Sequence, residues 1–120
     1  MTPETRLKNA IMLEAGKRGF VCLRLNSGRA WNGKASTHNG KVTVSDARPI
    51  ALCPEGTSDM LFIMPNGRYC FVESKIKPRK PTQAQLSFIS RIHELGGLAG
   101  VCYSVDEFVK LVTEEKEIYK

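Results

Sequence analysis

Asp59, Glu73 and Lys75 are the residues whose types and spacing carry the clearest chemistry. Asp59 closes the stretch Gly56-Thr57-Ser58-Asp59 and precedes Glu73-Ser74-Lys75 by fourteen residues. Between them, residues 60–64 form an apolar run, Asn66-Gly67 is a turn signal, and residues 69–72 resume an apolar, aromatic run. This pattern predicts a β-hairpin that Asp59 enters and Glu73 leaves. With Pro65, Asn66 and Gly67 as the loop, Met64 faces Arg68, and counting outwards sets Asp59 opposite Glu73. Opposed side chains share a face, with Cβ atoms roughly 5 Å apart. Strand alternation puts Glu73 and Lys75 on one side and Ser74 on the other. A two-residue Asn-Gly turn would instead oppose Asp59 to Ser74 and disperse the group.

Two carboxylates held this close repel each other unless a cation joins them. A hard divalent ion such as Mg²⁺ or Mn²⁺ accepts both as oxygen ligands and keeps waters for exchange with substrate. Such an ion can polarise a phosphodiester, lower the pKa of a water and stabilise a leaving oxygen, with Lys75 orienting the attacking water or neutralising developing charge. In the competing reading, Asp59 caps a turn and Glu73 and Lys75 make an ordinary edge-strand ion pair.

The flanking elements must position this group. Thr2-Pro3 is an N-cap followed by a proline at the first helical position and Gly19 is a stop signal, which predicts a helix over residues 3–18. At about 100° per residue, Glu4 shares the stripe of Leu7, Ile11 and Ala15. An acidic residue on an inward stripe needs a reason: an outer-sphere place at the metal, or complementing the helix dipole in the first turn. Glu14 lies on the same broad face and competes for that role. Residues 20–25 read as a strand. Residues 26–56 are polar and weakly periodic, with Asn39-Gly40 suggesting a second hairpin.

Basic residues cluster in two places. Arg24, Arg29, Lys34, His38, Lys41 and Arg48, with Trp31, suit phosphate contact and stacking, or else a solvated loop with a buried Trp anchor. Residues 75–81, Lys-Ile-Lys-Pro-Arg-Lys-Pro, form a basic, proline-punctuated connector beside the carboxylates. Thr82 to Gln85 matches the capping-box pattern at the start of the next helix, which gives Gln85 a structural explanation. Apolar spacing then runs to Gly96-Gly97, residues 98–103 read as a buried strand, and Ser104-x-x-Glu107 reads as a second capping box. It opens a final amphipathic helix whose Glu114, Glu115 and Glu117 form a solvated face.

The chain has 120 residues, 42% of them hydrophobic, which predicts a single domain over residues 1–120. Its net charge of +6 favours polyanionic partners. Absence of an apolar window of membrane length and of a signal-peptide pattern predicts a cytoplasmic protein. Cys22, Cys53, Cys70 and Cys102 lack zinc-site spacing and read as small core residues in a reducing compartment.

Gly-x-x-Asp, a hairpin, Glu-x-Lys, and a Gln at the start of the next helix together resemble the PD-(D/E)xK nuclease superfamily. More narrowly, the chain resembles the VRR-NUC (virus-type replication-repair nuclease) domain in its small stand-alone phage or bacterial form. The resemblance covers most of the chain, from the first helix through Tyr103, and Ser58 departs from the Pro more often found before the Asp. It implies an α/β, restriction-endonuclease-like domain with a mixed sheet flanked by helices, in the order α-β-β-β-α-β-α with a variable β region after the first strand. It implies a Mg²⁺- or Mn²⁺-dependent endodeoxyribonuclease, with no small-molecule cofactor. Asp59, Glu73 and the Ser74 carbonyl would hold the metal, and Lys75 would be the catalytic lysine. Gln85, with Gln83 as the fallback, and Glu4 would complete the site, while Arg24, Asn26, Arg29, Lys77, Arg79 and Lys80 would contact DNA. A homodimer acting on Holliday junctions or other branched DNA is the expected form. Alternatives are a same-fold nuclease cutting flaps, nicks or single strands, and a non-catalytic nucleic-acid-binding module.

Overall fold

The computed structural model describes residues 1–25, 29–51 and 53–115, with the side chains of residues 29–32 and 49–51 outside that description. Nine elements follow one another: α1 (Pro3–Lys17), β1 (Val21–Arg24), β2 (Arg29–His38), β3 (Lys41–Ala51), β4 (Met60–Ile63), β5 (Tyr69–Ser74), α2 (Gln83–Glu94), β6 (Leu98–Cys102) and α3 (Val105–Glu114). The expected order of elements is observed, and the variable region is the β2–β3 hairpin.

Four strands form a mixed sheet in the order β1-β4-β5-β6. β1 and β5 run antiparallel to β4, while β6 runs parallel to β5. A parallel neighbour cannot be reached by a tight turn, so α2 makes the crossover from β5 to β6. Period-two alternation sends Met60, Phe62, Cys70, Val72, Leu98 and Cys102 to one face, where they pack on Ile11 and Ala15 of α1 and Phe108, Leu111 and Val112 of α3. Phe62 and Phe108 meet with ring centroids 5.1 Å apart. On the other face, Ala99, Val101 and Phe71 meet Ile89, Phe88 and Ile92 of α2. The sheet is the middle of three layers, and β6 is buried along its whole length.

The helix ends follow the capping chemistry of the sequence. Thr2 Oγ1 accepts from the Thr5 N–H, and Gly19 adopts a positive φ of 78° just beyond the last turn of α1. Ser104 Oγ likewise accepts from the Glu107 N–H, but the second capping box is only half formed. The Glu107 carboxylate reaches past the cap to the Tyr103 N–H at 2.7 Å. Tyr103 directly follows β6, so this contact ties the end of the sheet to the first turn of α3. Glu114 and Glu115 are exposed as expected, with Glu115 paired to Arg68 at 3.2 Å, and Glu117 lies outside the described residues.

Among the described residues, β2 and β3 pair only with each other, through a two-residue turn in which Asn39 and Gly40 both have positive φ. Residues 33–48 of this hairpin are exposed throughout, so it forms an arm without a core of its own. Cys70 and Cys102 are buried and Cys22 and Cys53 half-buried, all as free thiols. Among the described residues, no helix is long and apolar enough to cross a membrane.

Candidate active site

β4 and β5 pair with Met60 opposite Val72 and Ile63 opposite Tyr69. The Met64 N–H donates to the Arg68 carbonyl at 2.8 Å, closing the three-residue loop Pro65-Asn66-Gly67. Extending this register by one pair sets Asp59 against Glu73. The loop geometry on which the carboxylate pair depends is therefore present.

Three groups meet Asp59 at Oδ2, beside the hydrogen bond it shares with Glu73. The Ser74 N–H donates to it at 3.1 Å and the Ser74 hydroxyl at 2.9 Å, while Lys8 Nζ of α1 stands 3.7 Å away. Its own carbonyl accepts from the Leu25 N–H at 2.7 Å, tying the start of β4 to the end of β1. Neither the Ser74 side chain nor Lys8 stood out in the sequence. The available signal for Lys8 was its place one helical turn after Glu4, on the stripe that faces the sheet.

The segment before Asp59 is a tight turn. The Thr57 N–H and hydroxyl both donate to the Pro54 carbonyl, at 3.1 and 2.7 Å, and Gly56 sits at the third position with φ 91°. A Cβ on Gly56 would lie 2.5 Å from the Ala84 carbonyl oxygen, so this loop rests directly on the first turn of α2.

Glu73 is almost fully buried, with 3% of its surface exposed, and among the described residues its Oε1 has no hydrogen-bond partner. Burial raises its pKa to about 8. Asp59 adds to the rise by charge and hydrogen bonding, while Lys75 and Lys8 oppose it. A second buried polar atom, Ser58 Oγ in the residue next to Asp59, is also without a partner among the described residues. Orphaned buried polar atoms are costly, so a group that satisfied them would be favoured here. Among the described residues no group of three or more His, Cys, Asp and Glu side chains comes together. The donor set is two carboxylates plus backbone oxygen. That set suits Mg²⁺ or Mn²⁺, which keep several waters, and does not suit zinc.

Of the other expected site residues, Lys75 acts on Glu73 by charge, while Glu4, Gln85 and Gln83 make side-chain contacts with other groups. Lys75 follows Glu73 by two positions and is half-buried. Glu4, also half-buried, has Arg79 of the connector as its recorded partner at 3.8 Å, and Glu14 pairs with Arg18 at 3.0 Å. Gln85 completes the capping box: its Oε1 accepts from the Thr82 N–H at 2.8 Å, while the Gln85 N–H donates to Thr82 Oγ1 at 3.1 Å. Gln83 Nε2 lies 3.5 Å from Ser87 Oγ. Lys77, Arg79 and Lys80 are exposed on the connector and Arg24 at the end of β1. Asn26 and the side chains of Arg29 and Trp31 lie outside the described residues.

No protein-family model matches the sequence, and no curated protein matches it. Among solved structures, the chain is similar to one described as a VRR_NUC domain. The TM-score is 0.64 at 22% identity, over 97% of this chain and the whole of the other. At that identity the likeness establishes a shared fold, that of a VRR_NUC domain.

Proposed function

We propose that the protein is a divalent-metal-dependent DNA endonuclease acting on branched DNA. The observation that carries the reading is the buried Glu73 carboxyl, its Oε1 without a partner among the described residues, set opposite an Asp59 that Ser74 and Lys8 hold at Oδ2. Asp59 Oδ1, Glu73 Oε1 and the Ser74 carbonyl are the atoms that would hold the cation. A cation there supplies Lewis acidity toward the scissile phosphate and offsets charge on the leaving oxygen.

The chain's own residues do the rest. Ser74 holds Asp59 in one rotamer, which keeps the two ligand carboxylates in register. Lys75, on the same side of β5 as Glu73, orients the attacking water and offsets charge developing on the phosphoryl oxygens. Glu4 holds Arg79, and with it the connector, against the first turn of α1. Gln85 anchors the start of α2 beneath the Asp59 loop. Lys77, Arg79, Lys80 and Arg24 contact the DNA backbone, in keeping with the net charge of +6. Asn26 and Arg29 are further backbone contacts in this reading.

A homodimer fits the same reading. α2 leaves part of its sheet face uncovered: Val21, Leu23 and Ile63 are 55%, 45% and 40% exposed, beside a cavity lined by Leu61, Ile63, Tyr69, Phe71 and Ile92. A second copy would bury this apolar face and give a symmetric pair of sites suited to a two-armed substrate.

The test is cleavage of labelled linear, single-stranded, flap and four-way-junction DNA with Mg²⁺, with Mn²⁺ and with EDTA, beside Asp59→Ala. Paired symmetric cuts at the junction, lost with EDTA and in the variant, are the expected result. Metal-dependent cuts only in other substrates would replace the junction reading. Salt-sensitive binding without hydrolysis would replace the nuclease by a binding module.

A further inference from the structure

A second concavity adjoins the carboxylate site and has a different character. Residues 77–80 of the connector close over Val101, Tyr103 and Glu107 to form a cavity of about 430 Å³. The parallel register places Glu73 beside Val101 and Ser74 beside Cys102, so Tyr103 is the next residue along, level with Lys75. The Lys75 N–H donating to the Cys102 carbonyl at 3.2 Å continues that pairing. Neighbouring strands are roughly 4.8 Å apart. The backbone of Tyr103, in the cavity wall, therefore runs one strand spacing from that of Lys75, so the cavity adjoins the proposed site.

Its chemistry is graded from rim to floor. Lys77, Arg79 and Lys80 are exposed at the rim, where they meet phosphates. Inside are the Tyr103 ring, Val101 and the Glu107 carboxylate. A carboxylate within the cavity repels phosphate, whereas a neutral planar ring with amino or imino donors fits against it. The aromatic wall is held in place at both ends: the Tyr103 N–H donates to Glu107 Oε1 at 2.7 Å, and its hydroxyl donates to the Arg79 carbonyl at 2.8 Å. Lys77 Nζ lies 5.7 Å from the ring centroid, near the outer limit of a cation–π contact, so its exposed ammonium is free to turn to a phosphate when another group covers the ring.

We infer that this cavity takes one unpaired nucleobase of the DNA strand being cut, next to the scissile phosphate, stacked on Tyr103 with its edge toward Glu107. The inference rests on the nuclease reading and gives it a source of selectivity. A base inside a duplex has both faces covered by its neighbours, and extruding it costs a few kcal/mol, least where it is already unpaired. A branch point interrupts the stack and lowers that cost, whereas continuous duplex does not.

The test is a positional scan with 2-aminopurine, whose fluorescence is quenched by stacking. The probe is placed in turn at each nucleotide around the branch point of a junction and bound in EDTA by the full chain, by Tyr103→Leu and by Tyr103→Phe. Quenching at a single position next to the mapped cut, kept in Tyr103→Phe and lost in Tyr103→Leu, is the expected result. Affinity for the branched DNA should fall about tenfold in Tyr103→Leu, within the range for loss of one base–aromatic stack. Saturable binding by the wild type without position-dependent quenching would overturn the inference, and it would do so whether or not the protein cleaves. Localised quenching without metal-dependent cleavage would support the cavity while removing the nuclease reading. A thermal melt shows whether Tyr103→Leu is folded; if it is not, the wild-type and Tyr103→Phe scans decide.

Discussion

Lys8 Nζ lies 3.7 Å from Asp59 Oδ2, so the first helix delivers an ammonium group to the carboxylate pair from the face of the sheet opposite α2. Both side chains keep about a fifth of their surface exposed, so the pair is partly screened by solvent. In the metal-free protein it is a counter-ion to Asp59. A divalent cation arriving at the same carboxylate meets like charge from Lys8. Lys8→Met should therefore tighten Mn²⁺ binding severalfold while lowering turnover on DNA, measured by calorimetric titration and cleavage rate. Weaker Mn²⁺ binding in the variant would assign Lys8 to holding the Asp59 rotamer instead.

Glu73 couples the site to pH. Its pKa rises from 4.5 to about 8 on folding, chiefly through burial. Between those values the folded protein holds a proton that the unfolded chain has lost, so without a cation stability falls as pH rises through this window. The effect is on the order of a few kcal/mol. Thermal melts in EDTA from pH 5 to 8.5 should show wild type losing stability relative to Glu73→Gln as pH rises. Adding Mn²⁺ near pH 8 should restore wild type and leave Glu73→Gln nearly unchanged. Parallel pH profiles for the two proteins would show that Glu73 does not carry the dependence.

Lys75 faces the same side of β5 as Glu73 but is not a ligand in the proposed site. Lys75→Ala should reduce kcat about 10²- to 10³-fold, the usual cost of removing one preorganised donor at a developing charge. DNA affinity should change by less than threefold, since in the proposed reading several other cations would contact the backbone. Equal losses in turnover and affinity would make Lys75 a binding residue. Asp59→Ala should behave differently again, abolishing cleavage while binding DNA as tightly or more tightly, because a carboxylate that repels phosphate is gone.

The carboxylate hairpin could be read from sequence because every contact that defines it is local. A turn signal, two apolar runs and a count of residues leave two registers, and the three-residue loop is the one that sets Asp59 against Glu73. The Asn39-Gly40 hairpin was legible for the same reason. Contacts that depend on how layers pack were not. Lys8 meets Asp59 across 51 residues of chain, and only the docking of α1 on the sheet decides which turn of the helix reaches the site. Ser74 was readable as strand but not as the clamp on Asp59, because alternation alone sends its side chain to the opposite face from Glu73. Glu107 fits a capping-box pattern, yet its carboxylate is drawn to the Tyr103 amide, a competition that spacing does not encode. The cavity over Tyr103 needs the connector's path, which its prolines constrain without specifying.

Gln85 has a structural duty and an expected place in the site, and one substitution separates them. Glutamate serves the capping box as well as glutamine and suits a helix N-terminus better. Gln85→Ala should cost about 1 kcal/mol in urea unfolding, whereas Gln85→Glu should retain wild-type stability. If Gln85 also serves the DNA-cutting site, Gln85→Glu should lower turnover at least tenfold through the added negative charge. Wild-type turnover in Gln85→Glu would confine the residue to the cap.

Gly56 is where the backbone of the Asp59 loop touches α2, and it meets two demands at once. Its φ of 91° disfavours any side chain, and a Cβ would sit 2.5 Å from the Ala84 carbonyl oxygen. Gly67, in the hairpin loop, has φ 82° but open space around its Cα. Comparing Gly56→Ala with Gly67→Ala therefore separates the conformational cost from the close approach. Gly67→Ala should lose about 1 kcal/mol, from the positive φ alone, with cleavage near wild type. Gly56→Ala should lose about 1 to 3 kcal/mol more, since the obstruction is backbone and cannot swing aside. Because the displaced loop carries Ser58 and Asp59, its cleavage rate should fall further than its stability alone explains, even at temperatures where it is fully folded. Equal effects of the two substitutions on cleavage would mean that the loop's contact with α2 does not set the position of Asp59.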